Sequence, residues 1–288
     1  MKERLERFLG ARVTALERVK GGGYTAAQRL VATLDDGDRV FVKAAVDAMT
    51  AGWLRLEQIV YANVDGDFLP RFVAYDEGEL PVLVLEDLSS AHWPPPWRDG
   101  DIAAVRNALG RVARTKAPPG LTPAADWKAA WVGGWHAVEA DPEPFLSTGI
   151  ASRGWLVAHQ AMLREAAERA PLDEGDALLH LDVRSDNVAL TQDGARLVDW
   201  NWASSGNPLM DLVAWAPSLC RETGLRPEGL VDGENVGELA ALCSGVWMQA
   251  VGQPPPPSAA PGLRDGQRAA LEICLPWACR QLGIPEPQ

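Results

Sequence analysis

Basic residues, cysteines and long apolar runs are scarce in this chain, and each shortage excludes a class of function. Asp and Glu outnumber Lys and Arg by 39 to 27, which gives a formal net charge of −12. Nucleic-acid binding requires clustered basic residues, so we expect no nucleic-acid partner. No apolar run approaches the length of a membrane span, and the N-terminal segment MKERLERFLG is charged rather than signal-like. We therefore expect no membrane partner and a cytoplasmic location.

The four cysteines all lie in the second half of the chain, at Cys220, Cys243, Cys274 and Cys279. None has a metal-ligand spacing with a histidine, so we expect buried free thiols in a reducing compartment. With 288 residues, the chain is long enough to bury a large core in one or two domains.

The most informative segment that is present is His180-Leu-Asp-Val-Arg-Ser-Asp-Asn187, followed twelve residues later by Asp199. Phosphoryl transfer requires a base that orients the acceptor hydroxyl, and oxygen ligands that hold Mg²⁺ on the β- and γ-phosphates. Asp182 suits the first role, and Asn187 and Asp199 suit the second. The pattern therefore indicates a kinase.

The stretch after the loop predicts a β-hairpin. Apolar runs at 187–190 and 195–200 flank Thr-Gln-Asp-Gly194. Asp-Gly between two such runs is a strong turn signal, because both residues tolerate positive φ. A hairpin of this length brings the end of its second strand back beside the start of its first. Asn187 is therefore expected close to Asp199.

These residues resemble the aminoglycoside phosphotransferase family, within the protein-kinase-like group that includes choline kinases. The family's catalytic loop reads His-x-Asp-x-x-x-x-Asn, and its metal-binding aspartate lies in an Ile/Val-Asp-Trp context. The matching residues here are His180, Asp182, Asn187 and Val198-Asp199-Trp200. The resemblance implies an α+β, two-lobed fold, with a small, mainly antiparallel β lobe at 1–88 that carries one key helix. The larger, mainly helical lobe at 89–288 would hold the catalytic loop and the acceptor site.

The resemblance also implies a nucleotide site for ATP, with GTP as an alternative, in the first lobe. Gly22 and Gly23 would let backbone amides approach the phosphates, although a flexible hairpin tip explains the same glycines. Lys43, one of five lysines, ends a predicted strand and would contact the α- and β-phosphates. Glu57, on a predicted helix over 51–64, would pair with Lys43.

The predicted hinge between the lobes follows two short apolar strands, at 72–75 and 81–85. The resemblance implies that the adenine edge bonds to the backbone carbonyl of Glu86 and the backbone amide of Leu88. Trp93 and Trp97 flank a proline turn near this hinge, and they are candidates for adenine or acceptor contacts as well as for packing.

Two features bear on the acceptor, which we expect to be a small molecule with a hydroxyl group. Trp127, Trp131 and Trp135 repeat along one side of a predicted helix, either as core packing or as an aromatic wall for the acceptor. The acidic stretches 139–143 and 173–176 either line a site for a cationic acceptor or form solvated surface. The net negative charge is compatible with a cationic acceptor, but it serves solubility as well.

Residues around the catalytic loop have further implied roles. The family's equivalent of His180 packs beneath the loop, and the equivalent of Asp211 braces it. Arg184 either steadies the γ-phosphate or pairs with Asp182, and the sequence leaves both open. Leu181 stands where the family often has glycine, so its side chain would narrow the site. Asn201 replaces another glycine and is expected to stiffen the segment after Asp199.

Together these patterns predict an ATP-dependent, Mg²⁺-dependent O-phosphotransferase that acts on a small molecule, with an aminoglycoside as one acceptor. The alternatives are a kinase for another acceptor, such as a sugar, amino alcohol or macrolide, and a regulatory nucleotide-binding pseudokinase. A pseudokinase would be expected to lack Lys43, Asp182 or Asp199, and this chain has all three.

Overall fold

The computed structural model describes residues 1–19, 26–256 and 262–287. Gly22 and Gly23, the predicted phosphate-loop glycines, lie outside these residues. The chain divides into two compact units. The first comprises Met1–Arg111, Pro118–Leu121 and Asp186–Ala203, and the second comprises Val112–Ala117, Thr122–Ser185 and Ser204–Gln288. The division into lobes at residue 88 stays a prediction.

The strands of the described residues form one five-stranded sheet and two small two-stranded sheets. The large sheet is antiparallel and has the order β1-β2-β3-β5-β4. The strands are β1 (Val13–Arg18), β2 (Gln28–Leu34), β3 (Arg39–Ala44), β4 (Phe72–Asp76), β5 (Val82–Glu86), β6 (Ala177–Leu179), β7 (Val188–Thr191), β8 (Gly194–Leu197) and β9 (Ser204–Gly206).

Most of the helices follow the sheet in the chain, and short 3₁₀ turns are found at 185–187, 200–202 and 227–229. The helices are α1 (Lys2–Leu9), α2 (Ala48–Asn63), α3 (Asp101–Val112), α4 (Ala124–Ala140), α5 (Glu143–Leu146), α6 (Arg153–Arg169), α7 (Leu209–Thr223), α8 (Val236–Val251) and α9 (Leu263–Leu282). None of these helices is both long enough and apolar enough to cross a bilayer.

The large sheet of the first unit buries one face against α1. Because successive side chains in a strand point to opposite faces, every second residue of β2 and β3 joins this core. Leu30 and Ala32 of β2 and Val40 and Val42 of β3 are buried there with Leu5 of α1. The intervening residues of the same strands are thereby directed to the opposite face.

Helix α2 begins three residues before the predicted start because a capping box fixes it at Asp47. Oδ1 of Asp47 accepts the backbone N–H of Thr50 at 2.8 Å, and Oγ1 of Thr50 accepts the backbone N–H of Asp47 at 3.1 Å. This reciprocal pair satisfies two backbone donors that a helix start otherwise leaves without partners. The helix buries Leu54, Glu57 and Val60 on one side.

The second unit is built around helices α4, α6, α7, α8 and α9. A Cβ on Gly134 of α4 would lie 1.9 Å from the carbonyl oxygen of Gly245 on α8, so only glycine permits the two helices to approach so closely. Trp135 is fully buried beside this crossing, and its Nε1–H donates to the Ala241 oxygen at 2.9 Å. Trp131 is also buried. For these two residues of the tryptophan repeat, core packing is the correct alternative.

The cysteines agree with the sequence prediction. All four are free and buried. They lie on α7, α8 and α9, where burial raises the pKa of Cys220 to about 11 and that of Cys279 to about 12. Thiols of this kind act as small apolar side chains in the core.

Candidate active site

The face of the large sheet opposite α1 carries the candidate nucleotide site. In the β2–β3 register, Val31 lies opposite Phe41, and Arg29 lies opposite Lys43. These four residues alternate with the core residues, so they share the other face. Leu85 of β5, opposite Phe41, extends the apolar patch. The strand pattern thus places an apolar patch beside a cationic pair.

A triad of charged side chains, Lys43, Glu57 and Asp199, lies at the cationic end of this face. Nζ of Lys43 donates to Oε1 of Glu57 on α2, and also to Oδ1 of Asp199 at 2.7 Å. Lys43 is 5% exposed and Glu57 is 1% exposed. The Lys43–Glu57 pairing that the resemblance implies is therefore present, and the same ammonium also holds Asp199.

The triad contains one positive and two negative side chains, and burial together with these charges shifts the pKa values of Glu57 and Lys43. Burial raises the pKa of Glu57 to about 7, against the opposing effect of Lys43. Burial lowers the pKa of Lys43, but the neighbouring Asp199 and Glu57 carboxylates outweigh it, so that the pKa is raised. A buried cluster with an excess of negative charge favours an additional cation.

Asp199 adopts the left-handed conformation, with φ of 68°, which is unusual for a residue with a side chain. Asn201 lies nearby and is 5% exposed. With its amide nitrogen facing Asp199, Asn201 donates to the Asp199 backbone oxygen at 3.1 Å and to Oδ1 at 3.2 Å. This is consistent with the expected stiffening after Asp199, and it supplies a mechanism for it.

The predicted hairpin is confirmed as β7 and β8, which pair from Val188 opposite Leu197 to Thr191 opposite Gly194. The N–H of Val198 donates to the backbone oxygen of Asn187 at 3.0 Å. This bond closes the open end of the hairpin and brings Asn187 beside the residue that precedes Asp199. Asn187 is 2% exposed.

The predicted hinge follows β5 and is fixed by side chains. Oε2 of Glu86 accepts the N–H of Arg71 at 3.0 Å, and Arg39 donates to Oδ2 of Asp87 at 2.8 Å. Nε1–H of Trp93 donates to the backbone oxygen of Leu88 at 3.1 Å. Trp93 is thereby fixed at the hinge.

A cavity of about 440 Å³ joins these features within the first unit. That volume falls within the usual range for small-ligand and cofactor sites. Its wall includes the apolar patch, the ion triad, the hinge and Asn187. The lining residues are Val19, Arg29, Val31, Phe41, Lys43, Glu57, Tyr61, Pro70, Leu85, Glu86, Asp87, Leu88, Ser89, Trp93, Pro94, Asp186, Asn187, Val198 and Asp199.

Residues 180–185 of the predicted catalytic loop belong to the second unit, where α7 holds them. Asp211, in the first turn of α7, accepts the N–H of His180 at 2.9 Å and the N–H of Leu181 at 2.8 Å. Leu181 is left-handed, with φ of 60°. Glycine adopts this conformation without strain, which explains why the family often has glycine here. The Leu181 side chain is only 7% exposed, so the expected narrowing of the site is not the better explanation.

Asp211 is itself unusual because it is a carboxylate that is buried among backbone amides. Burial raises its pKa to about 6, against the lowering effect of the His180 and Leu181 amides. His180 is fully buried, and its Nδ1 accepts the Asp182 N–H at 3.3 Å. Both residues therefore hold the backbone of the loop, as the resemblance implies.

Asp182 and Arg184 form an ion pair, with 3.3 Å between Oδ1 and Nη1. This contact realises one of the two roles left open for Arg184. Further along the loop, the Ser185 hydroxyl donates to Oε1 of Glu222 on α7 at 2.6 Å. Helix α7 thus fastens both ends of the loop segment, through Asp211 and Glu222. The sequence indicated only the first of these contacts.

The acidic stretches of the second unit have cationic partners within that unit. Glu139 lies 3.5 Å from Arg164, and Asp173 lies 2.9 Å from Lys128. Glu143 and Asp176 pair with Arg153 and Lys116. These pairs favour the solvated-surface alternative over a dedicated polyamine site.

Sequence reasoning did not single out Arg29 or Glu222. The signal for Arg29 is the β2–β3 register, which places it opposite Lys43 but cannot be read without the strand pairing. Glu222 carries no local signal, because its contact with Ser185 spans 37 residues.

Solved structures share this fold along nearly the whole chain. The GDP complex of wild-type aminoglycoside 2′-phosphotransferase-IIIa matches with a TM-score of 0.61 and 13% identity, over 96% of this chain and 96% of that chain. A choline/ethanolamine kinase family protein from Mesorhizobium loti matches with a TM-score of 0.59 and 18% identity, over 98% and 97%. A putative fructosamine-3-kinase from Thermobifida fusca matches with a TM-score of 0.54 and 18% identity, over 94% and 98%.

Sequence comparisons reach less far. No family model matches the chain. Thiamine kinases from Salmonella strains, including Salmonella newport and Salmonella heidelberg, are 47% identical over 38 residues, which is 13% of this chain. The matched segment spans only 14% of the length of those curated relatives. At the level of the fold, the resemblance is confirmed: the chain has the α+β, protein-kinase-like fold of the aminoglycoside phosphotransferases.

Proposed function

We propose that this chain is an ATP-dependent O-phosphotransferase that transfers the γ-phosphate to a hydroxyl group of a small, cationic molecule. The observation that carries the proposal is the charged triad, in which the buried Lys43 holds Glu57 and Asp199 in the wall of a nucleotide-sized cavity. A buried lysine beside a buried carboxylate and a partly buried one is costly as a purely structural device, and such perturbed groups concentrate at functional sites.

The cavity has a polarity that suits a nucleotide. Val31, Phe41 and Leu85 form an apolar patch for a base, and the backbone of Glu86 and Leu88 would bond the edge of the adenine. Lys43, positioned by Glu57, would contact the α- and β-phosphates. GTP is the alternative nucleotide, because backbone bonds at the hinge constrain the base only partly.

The donor set fits a magnesium ion. The described residues contain no group of three or more His, Cys, Asp or Glu side chains that would hold a metal by themselves. Mg²⁺ in kinases takes only one or two protein oxygens and completes its shell with phosphate and water, so Asn187 and Asp199 suffice. When bound with the nucleotide, the ion would neutralise charge that develops on the β- and γ-phosphates.

Asp182 would act on the acceptor. Its carboxylate would orient the hydroxyl and accept its proton, while the hydroxyl oxygen forms a bond to the γ-phosphorus and the bond to the bridging oxygen of ADP breaks. The ion pair with Arg184 restrains the Asp182 side chain, and Asp211 restrains the backbone that precedes it.

Proteins with this fold, or with a short sequence match, point to a common acceptor chemistry. They include aminoglycoside phosphotransferases, a choline/ethanolamine kinase family protein and thiamine kinases. Aminoglycosides, choline and thiamine each combine a hydroxyl group with a positively charged nitrogen. The net charge of −12 suits such a molecule. We therefore infer a cationic alcohol, with an aminoglycoside as the first acceptor to test.

The test is ADP formation by the pure protein with Mg²⁺ and ATP, screened across aminoglycosides, choline, ethanolamine, thiamine, macrolides and sugars. We expect turnover that depends on one class of acceptor. Asp182→Asn, assayed beside the wild type, should lose at least about 10²-fold in kcat. Retention of more than about a tenth of wild-type activity would overturn the role of Asp182.

The same screen separates the alternatives. Turnover with a neutral sugar alone would retain the kinase and overturn the cationic acceptor. Thermal stabilisation by ATP without turnover on any acceptor would instead favour a regulatory nucleotide-binding protein.

A further inference from the structure

Arg29 is a cation opposite Lys43 to which the proposed function assigns no role. Arg29 is the β2 residue that pairs with Lys43 in the β2–β3 register, and it lines the same cavity. Side chains of directly opposed residues in an antiparallel pair lie on the same face, with Cβ atoms about 4.5–5.5 Å apart. The sheet therefore presents two adjacent cations to the cavity.

The next cross-strand pair on this face places Arg29 and Lys43 where the phosphates of a nucleotide would lie. Val31 and Phe41 lie two residues along the strands from Arg29 and Lys43, and they form the apolar patch. Two residues of strand correspond to about 6.6–6.8 Å. A nucleotide whose base packs on Val31 and Phe41 would thus have its phosphates near Arg29 and Lys43.

The charge balance of the cavity favours a second side-chain cation in addition to the Mg²⁺ ion proposed above. Lys43 is already shared by Glu57 and Asp199, so its charge is more than offset before any ligand enters. Arg29 is close enough to this cluster to lower the pKa of Glu57, although burial raises that pKa overall. A polyphosphate entering beside two carboxylates is repelled by them, and a further protein cation facing it would reduce this repulsion together with the proposed Mg²⁺ ion.

We propose that Arg29 is a second phosphate-binding residue, which binds the polyphosphate of the nucleotide beside Lys43. The inference rests on the proposed nucleotide site and extends it to a residue outside the family motifs described above. One amino group of the guanidinium, Nη1, donates to the Ala27 backbone oxygen at 3.3 Å, which orients the plane. A guanidinium has five N–H donors, and its planar fork matches two phosphate oxygens.

The experiment compares nucleotides that differ in phosphate number. Dissociation constants of the full-length protein for ATP and ADP with Mg²⁺, and for adenosine, are measured by calorimetry. The variants are Arg29→Gln, Arg29→Lys and the charge control Arg7→Gln, which removes an exposed arginine of α1 that does not line the cavity. Thermal unfolding of each variant shows whether it is folded.

We expect Arg29→Gln to weaken ATP and ADP binding by about 10- to 100-fold, the range for losing a charge-assisted hydrogen bond. Adenosine affinity should change by less than about twofold, because the apolar patch that would contact the base is intact. Arg29→Lys should recover part of the loss, since it keeps the charge without the fork. Arg7→Gln should match the wild type.

Two results overturn the inference alone: unchanged ATP affinity in a folded Arg29→Gln protein, or an equal loss of ATP and adenosine affinity, which indicates a structural role. Wild-type protein that binds no nucleotide overturns the proposed function together with the inference. The wild-type measurement therefore separates the two failures.

Discussion

Two left-handed residues, Leu181 and Asp199, are held in different ways. Leu181, with φ of 60°, is held through its backbone: its N–H and that of His180 donate to the buried Asp211. Asp199, with φ of 68°, is held mainly through its side chain, which contacts Lys43 and Asn201, while Asn201 also donates to its backbone oxygen. The arrangement at Leu181 gives backbone N–H groups an acceptor, and the arrangement at Asp199 brings charged side chains together.

This difference separates a carboxylate that binds backbone amides, Asp211, from one that we propose acts in the nucleotide site, Asp199. Asp211 accepts backbone amides, so its carboxyl oxygens hold the loop. Asp199 shares one ammonium with Glu57, so the cluster keeps an excess negative charge that a cation would neutralise. Strain is retained at both positions because the surrounding contacts over-determine the backbone.

The largest expected effect is on turnover, from Asp199→Asn. We expect kcat to fall by at least about 10²-fold, because the proposed Mg²⁺ ligand is lost. The midpoint of thermal unfolding should change little, since the variant leaves a matched Lys43–Glu57 pair. Activity assays and thermal unfolding check both parts. A large loss of stability with activity retained would make Asp199 a structural residue like Asp211.

Asp211→Ala should show the reverse pattern. The N–H groups of His180 and Leu181 would lose their acceptor, at a cost of about 2–5 kcal/mol in the free energy of unfolding. ATP affinity should be retained, because Asp211 does not line the nucleotide cavity. Denaturant unfolding and calorimetry measure the two quantities. Asp211→Asn, which keeps one acceptor oxygen, should fall between; full stability of Asp211→Ala would refute the brace.

The pH dependence of stability should carry the signature of Asp211. Its pKa is raised from 3.8 to about 6 in the folded protein, so the folded state binds the proton more tightly than the unfolded state. The stability of the wild type should therefore fall, relative to Asp211→Asn, as pH rises from about 4 to about 6. Denaturant unfolding of both proteins across this range measures the difference. A difference that is constant with pH would contradict the shift.

The smallest effect concerns the backbone strain at Leu181. Leu181→Ala and Leu181→Gly both lose a buried side chain, but only glycine relieves the left-handed conformation. We expect the glycine variant to be more stable than the alanine variant by about 1 kcal/mol. Ala158→Gly, on the exposed face of α6, is the control: it should lower the free energy of unfolding by about 1 kcal/mol, as glycine normally does in a helix. Equal stability of the two Leu181 variants would remove the strain argument.

Local patterns made much of the site predictable. The Asp-Gly turn and the flanking apolar runs predicted the hairpin that carries Asn187 towards Asp199, and the structure confirms it. The family order of lysine and glutamate predicted the Lys43–Glu57 pair. The fold class followed from the same resemblance, and the fold-level matches bear it out.

The remaining features depend on contacts between distant segments. The position of Arg29 opposite Lys43 requires the β2–β3 register, which no sequence pattern states. The Trp127 repeat favoured a core over an acceptor wall but left both open, and burial decides for the core at Trp131 and Trp135. Positive φ at Leu181 could not be read from a leucine, because leucine rarely adopts it.

The placement of the cysteines makes the two units distinguishable in solution. All four thiols lie within the second unit, and each is at most 6% exposed. A thiol-reactive reagent can modify them only when that unit opens, so its labelling rate reports the opening of the second unit and is insensitive to motions confined to the first. Nucleotide that slows the labelling would show that occupancy of a cavity in one unit stabilises the other.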